Sequence, residues 1–483
     1  MKRIFTTNLL LLVFVNILIK PFWIFGIDRT VQNTLGAGEY GIFYTLFNIS
    51  LLFNILLDFG LTNFNNREIS RHPQLLGKYL SNIVGIKVVL AIFYGLFTLL
   101  FAFTLGYANR EIVLLLVLVA NQVLSSFILY LRSNLSGLQL FRLDSLLSVL
   151  DKALMIIICG MMLWTKWLPI KFNIGTFVLS QTLSYVLTAV VAFIFVLKNS
   201  GKIVLKLDFP FSLSMLKSSF PYALLILLMT IYSRVDSVLI ERLLPNGDIA
   251  AGVYAQAFRL LDAANMFPFL FASLLLPIFS KMIKNNNNLS SFVGFSSILL
   301  LVPVVSFAIP TFVFRNHIME LLYVEHTVQS SQVLGVLMGS FVFIAIGYIF
   351  GTLLTAQGDL LKLNYVSAVA VVISIFVQFM LIGRFGIVGA ACGNLITSAF
   401  VAIFTVLLAF QRFEFRIEKS YLYRFLMFFV TSIIATLLLY NAEVNPLVSL
   451  VIAFLFIIFL SFVFRLMRFK ELASFFTKEA PFE

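Results

Sequence analysis

Long apolar runs, separated by short polar or glycine-bearing stretches, make up most of this chain of 483 residues. The runs are continuous rather than alternating. Their length suits an α-helix crossing the hydrocarbon core, which takes about 20 residues. Strands of a membrane barrel would instead appear as ~10-residue segments of alternating polarity. The pattern predicts fourteen spans, at roughly 5–27, 40–63, 79–105, 111–131, 144–164, 172–197, 211–234, 249–279, 290–314, 330–356, 361–382, 386–410, 421–440 and 446–465. The first follows Met1-Lys2-Arg3 and so resembles a signal peptide. No small-x-small cleavage site follows cleanly, and Lys20-Pro21 interrupts the run, so an uncleaved first span is expected.

Composition agrees. The chain is 61% hydrophobic and 11% charged, against roughly 25% charged in soluble domains. The fold class expected is an all-α polytopic membrane protein. A net charge of +13 raises the question of nucleic acid, and its distribution answers it. Loops on the side of the two termini hold 21 Lys and Arg. The opposite loops hold 7: Arg29, Arg110, Lys166, Lys171, Arg242, Arg315 and Arg384. Basic loops stay in the cytoplasm. Both termini are therefore expected there, and the charge excess reads as topology, with no nucleic-acid partner. Trp23, Trp164 and Trp167 fall near the outer ends of their spans, where aromatic belts form.

Little else carries chemistry. Cys159 and Cys392 lie in apolar runs and read as small buried hydrophobes. His72, His317 and His326 fall in predicted loops on opposite sides of the membrane. No metal-ligand spacing, Walker loop or catalytic constellation is found, so no metal, cofactor or enzyme activity is expected. Asn285 to Asn288 read as a polar loop tip.

The informative residues are charges inside apolar runs. A base at mid-membrane costs about 2.5–3.5 kcal/mol on insertion scales, so such residues usually face protein or a wet cavity. Lys20, Lys87, Arg234 and Arg259 together point to a cavity that accepts an anion. Lys20 precedes Pro21, which bends a helix and frees a carbonyl, making Pro21 a candidate hinge; the alternative is that Lys20 snorkels to the outer headgroups. Lys87 either receives the anion first or snorkels to the inner surface. Arg259 and Asp262, three apart, share a helix face. They form a structural pair, or Asp262 takes a proton when an anion displaces it. Arg234 and Asp236 sit near the outer end of their span and point to different faces, one toward the cavity and one toward the rim, or both anchor at the interface. Asp58 is expected to cap locally or pair with Arg67. Asp151-Lys152 and Arg132 either line the inner vestibule or pair locally.

An internal repeat organises the chain. Leu35-Gly36-Ala37-Gly38-Glu39-Tyr40-Gly41 opens the second span, and Leu244-Pro245-Asn246-Gly247-Asp248 with Gly252-Val253-Tyr254 opens the eighth. Phe172-Asn173-Ile174-Gly175 and Phe385-Gly386-Ile387-Val388-Gly389 open the sixth and twelfth. Gly137-Leu138-Gln139 and Ala356-Gln357-Gly358 precede the fifth and eleventh. The offset is roughly 210–218 residues, or six spans. An even spacing preserves orientation, so the repeats are related by an axis along the membrane normal. This predicts a six-helix lobe over 1–200, a second over 201–411, and two added helices with a cytoplasmic tail over 412–483.

These residues resemble a known group. The Leu-x-x-Gly-x-x-Gly pattern, Leu57-Asp58-Phe59-Gly60-Leu61 leading to Arg67-Glu68-Ile69, and Tyr254-Ala255-x-Ala257-Phe258-Arg259-Leu260 ending at Leu276-Pro277-Ile278-Phe279-Ser280-Lys281 are similar to Wzx-type polysaccharide flippases. These belong to the multidrug/oligosaccharidyl-lipid/polysaccharide (MOP) exporter superfamily. The resemblance covers essentially the whole chain. It implies two lobes flanking a central cavity, alternating access, and an undecaprenyl-diphosphate-linked oligosaccharide as substrate. It also implies a bacterial inner membrane, a role in O-antigen, capsule or related surface polysaccharide, and a polysaccharide polymerase or other assembly proteins as partners. Lys20, Lys87, Arg234 and Arg259 would then bind the diphosphate. Cation-coupled drug exporters of the superfamily are the first rival; they typically have twelve spans and acidic cavities. A membrane glycosyltransferase or polymerase needs longer outer loops than those near 28–39 and 315–329. A flippase for a lipid-linked peptidoglycan precursor would share the mechanism and differ in glycan.

Overall fold

The computed structural model describes residues 16, 18–165, 171–200, 209–285, 289–413, 415, 419–442 and 445–467, and among these it is helical with no strand. Helix α1 covers 18–35 and α2 covers 37–52; they are separated only by Gly36, whose φ of 77° no helix accommodates. Then follow α3 (Leu61–Arg71), α4 (Leu76–Thr104), α5 (Arg110–Gly137), α6 (Phe141–Trp164), α7 (Ile174–Ser200), α8 (Phe209–Leu243), α9 (Gly247–Lys284), α10 (Leu289–Val313), the short α11 (Arg315–Leu322) and α12 (Thr327–Gln357). A continuous helical stretch over Leu360–Phe413 is folded at Gly386 (φ 57°) into α13 (360–385) and α14 (387–413). Two last helices are α15 (Lys419–Asn441) and α16 (Pro446–Val463).

Eleven of these stretches are long and apolar enough to cross a membrane. The one folded at Gly386 crosses twice, and α1 and the α2–α3 pair supply the first and second spans. The protein is thus a multi-pass membrane protein with the fourteen-span pattern that its hydropathy predicts.

Three boundaries differ from expectation. The first helix does not stop at residue 27; it runs to Leu35, so Asp28 and Arg29 are helical rather than loop residues. Asp28 is buried and bonded there, which removes the reason for a polar residue to end the span. The second span is not one helix. It unwinds between Phe53 and Gly60, then resumes as α3 to Arg71. The seventh runs on to Leu243, so Arg234 and Asp236 lie within the helix and not at its end. Trp167 and Lys166, and Asn286 to Asn288, lie outside the described residues.

The chain forms two compact units, Met1–Arg242 with Asn246–Gly252, and Leu243–Pro245 with Val253–Glu483. In the first, α5 is the central helix, packed by α2, α3, α4, α6 and α7. Its core joins Leu80, Ile83 and Ile86 of α4 to Leu131 and Leu135 of α5, Leu147 of α6 and Ala192 and Val196 of α7. The opposite face of α4, with Leu96, Leu100 and Phe103, is exposed, as a lipid-facing helix requires. In the second unit α12 packs on the α13–α14 hairpin, and α10 packs on α15 and α16 through Val302, Val305, Phe428 and Ile457. Glycine brings the legs of that hairpin together: a Cβ at Gly389 would strike the Leu381 carbonyl.

Within the first unit the two repeat motifs meet. A Cβ at Gly41 would strike the carbonyl oxygen of Asp248 and come within 2.7 Å of the Gly252 nitrogen; one at Gly252 would strike the carbonyl oxygen of Ala37. A shift of 211 residues carries Ala37 onto Asp248 and Gly41 onto Gly252. The contact is therefore reciprocal, as at a two-fold seam between like surfaces.

Candidate functional site: charged side chains inside the first unit

Lys20 lies on α1 just before Pro21. The helix continues through the proline and widens at once into a π-helical turn, Trp23–Asp28. A proline lacks its N–H and crowds the carbonyl four residues back, and a wider turn relieves that crowding. Such turns often mark functional positions. This one carries Trp23, which stacks on Phe177 of α7 with ring centroids 6.2 Å apart, and Asp28.

Lys20 is half-buried and lies within electrostatic reach of Asp151, Arg132 and Lys152. Lys152 Nζ is 3.2 Å from Asp151 Oδ2 and 5.4 Å from the ring centroids of both Trp23 and Tyr185. Arg132 Nε donates to Asp144 Oδ1 at 2.7 Å. Nearby helices add neutral polar groups: Asn16 donates to Ser148 (3.1 Å), and Gln181 to Tyr185 (3.2 Å). Three bases and two carboxylates from α1, α5 and α6 thus converge inside helices that otherwise bury apolar side chains. Two of these bases are paired, Arg132 with Asp144 and Lys152 with Asp151.

Asp28 is a residue that sequence reasoning missed. It is 3% exposed. The Tyr40 hydroxyl lies 2.9 and 3.0 Å from its two carboxylate oxygens, and Gln32 Nε2 donates to it at 3.2 Å. The i,i+4 spacing of Asp28 and Gln32 was a readable signal; placing the span end at residue 27 hid it.

The other candidates fall elsewhere. Lys87, on α4, points at the break in the second span: its Nζ donates to Leu57 O (3.1 Å), Asp58 Oδ1 (2.9 Å) and Ser126 Oγ (2.9 Å). Asp58 also accepts from the Thr62 hydroxyl and, at 3.3 Å, the Thr62 N–H. Its expected partner Arg67 has a side chain outside the described residues. On α8, Arg234 is half-buried and Asp236 fully buried, with the Ser237 N–H donating to Asp236 Oδ1 at 2.8 Å. In the second unit Arg259 Nη1 and Asp262 Oδ2 are 4.0 Å apart on one face of α9. That unit also buries the amides Gln256, Asn364, Gln378 and Asn394. Among the described residues no group of three or more His, Cys, Asp or Glu could hold a metal ion. Cys159 and Cys392 are free thiols.

Solved structures share this architecture. An inward-facing multidrug resistance MATE family transporter of the MOP superfamily superposes with a TM-score of 0.67 at 16% identity, covering 80% of this chain and 94% of its own. The lipid II flippase MurJ, in an inward closed conformation, gives 0.68 at 13%, covering 96% and 98%. A MOP superfamily transporter from Pyrococcus furiosus, described as having a binding pocket of reversed polarity, gives 0.61 at 14%, covering 85% and 95%. The fold is therefore the one these transporters and this flippase share. A search of curated proteins by sequence finds no match. The profile of the polysaccharide biosynthesis protein family matches residues 6–283, more than half of the chain, and the chain belongs to that family.

Proposed function

We propose that this protein is a Wzx-type flippase that carries undecaprenyl-diphosphate-linked oligosaccharide from the cytoplasmic to the outer leaflet of a bacterial inner membrane by alternating access. The observation that supports this reading is the half-buried Lys20 on the proline-bearing first helix, in a unit that also holds the Arg132–Asp144 and Lys152–Asp151 pairs. A lipid-linked diphosphate has two anionic phosphates, a polar glycan and an apolar tail. Its headgroup cannot cross bare hydrocarbon, because unpaired polar groups cost several kcal/mol each. Fixed bases lower that barrier: guanidinium forks suit phosphate oxygens, and ammonium acts as a point charge. Lys20 and Arg234 are the proposed diphosphate ligands of the first unit, with Pro21 as hinge, and Arg259 is a separate candidate ligand in the second. The buried amides of the second unit suit sugar hydroxyls. The product serves surface polysaccharide such as O-antigen or capsule, handed on to a polymerase and other assembly proteins.

Proteoliposomes loaded with undecaprenyl-diphosphate oligosaccharide test this. Lys20→Ala and Arg259→Ala should abolish appearance of the glycan on the opposite leaflet while the protein remains folded in the membrane. Arg259→Lys should recover part of it, since charge survives and the fork is lost. Full transport by both alanine variants overturns the reading. A second reading, a cation-coupled exporter of organic cations, is favoured by one observation, the buried Asp28. Uptake of a cationic dye that Asp28→Asn removes, with no movement of lipid-linked glycan, would select it.

A further inference from the structure

The second span breaks its α-helix in the middle of apolar sequence. Helix α2 ends at Leu52. A single 3-10 turn covers Asn54–Leu57, and Phe59 (φ 43°) and Gly60 (φ 83°) are both left-handed before α3 starts at Leu61. Unwinding strips carbonyls of their helical partners, which is costly where no water can replace them. Here neighbouring helices replace them. Lys87 from α4 brings an ammonium with three N–H groups to three oxygens, one carbonyl, one carboxylate and one hydroxyl, all at 2.9–3.1 Å. Gln122 of α5 accepts from Asn54 Nδ2 (2.8 Å), and Tyr94 of α4 donates to Ser50 O (2.7 Å).

The Lys87 side chain is 7% exposed, and its head points into the joint. A lysine that snorkels would turn its head to the surface. Its donors are already matched one to one. The 2.9–3.1 Å distances suit N–H···O bonds. The groups it joins belong to both sides of the break: Leu57 is the last residue of the 3-10 turn, while Asp58 caps the start of α3 through Thr62. Transporters with broken helices place coordinating carbonyls and half-helix ends around a bound cation.

We propose that Lys87 is a tethered resident cation that positions α3 on α2, and that Leu57 O, Asp58 Oδ1 and Ser126 Oγ form a seat for a primary ammonium. The seat is independent of what the protein transports. Lys87 thereby acts through the helix joint and not by contact with a diphosphate.

Lys87→Ala removes the atoms of n-propylammonium, which makes that ion the probe. Thermal unfolding of the purified full-length protein in detergent should show a lower midpoint for Lys87→Ala. Propylammonium should restore it saturably, whereas tetramethylammonium, equal in charge but without N–H donors, should not, and the unmodified protein should respond to neither. Should Lys87→Ala fail to fold, Lys87→Met and Lys87→Met/Asp58→Asn decide the matter. The double variant should be the more stable, because it no longer strands a carboxylate. In proteoliposomes moving undecaprenyl-diphosphate oligosaccharide, Lys87→Ala should lower the maximal rate and leave half-saturation unchanged, with propylammonium recovering the rate. A wild-type midpoint in Lys87→Ala, equal response to the two ammonium ions, no gain in the double variant, or a raised half-saturation at unchanged rate would each overturn the proposal. Transport failure by every form alongside propylammonium rescue of the midpoint would count against the transport reading and leave the seat standing.

Discussion

Gly41→Ala tests the reciprocal seam between the two repeat motifs. The added methyl would strike the Asp248 carbonyl oxygen and lie 2.7 Å from the Gly252 nitrogen. Ordinary contact distances are about 3.5–4.0 Å, so the crossing must open by more than about 1 Å. Backbone atoms receive the clash, and no side chain can rotate away from it. Overpacking of this kind costs about 1–3 kcal/mol, a shift of about 5- to 150-fold toward the separated arrangement. The assay is a disulfide between Gly38→Cys and Ile249→Cys in a background without Cys159 and Cys392. A Cβ at Gly38 would lie 3.6 Å from Ile249 Cγ1, so the parent should cross-link readily. Adding Gly41→Ala should cut the cross-linking rate at least several-fold. Gly41→Ala with Gly252→Ala should cost less than the sum of the two, since one opening relieves both clashes. An unchanged rate in Gly41→Ala would refute the close approach and the reasoning from it.

Reporter fusions after Lys202 and after Asn441 should report cytoplasm and exterior respectively; the same side for both would break the fourteen-span topology. Asp262→Asn should keep binding of lipid-linked diphosphate and remove any response of transport to a pH gradient, whereas a parent already indifferent to pH gradients would leave Asp262 as a structural partner of Arg259. Tyr107, in the loop after α4, donates to Glu241 Oε2 at 2.8 Å, and burial together with that carboxylate pushes its phenol well above the usual tyrosine range. Unfolded tyrosine ionises near pH 10 while folded Tyr107 stays neutral, so stability is complete below about pH 10 and falls as pH rises further. Tyr107→Phe should cost about 1 kcal/mol at neutral pH and flatten that alkaline decline in thermal melts.

The positions of the helices were largely written in the hydropathy pattern. A span of apolar residues has one stable form in lipid, because only a helix satisfies its own backbone groups there. That is why the fourteen spans, the boundary at Gly386 and the six-span repeat could be read without coordinates, whereas the break at Gly36 could not. The same logic fails where tertiary partners stand in for the helical hydrogen bond. Ile55, Leu56 and Leu57 continue an apolar run that reads as helix, yet the second span unwinds through them, because Lys87, Gln122 and Ser126 arrive from helices thirty or more residues away. Asp28 looked like a loop residue because a lone carboxylate ends a span. Tyr40 and Gln32 make it an interior group instead. The chain alone showed that Lys20, Lys87, Arg234 and Arg259 were costly to bury, and left Arg132 and Lys152 as vestibule or locally paired residues. Which of them share one interior was decided only by folding, since side chains on separate helices meet through packing and not through spacing along the sequence.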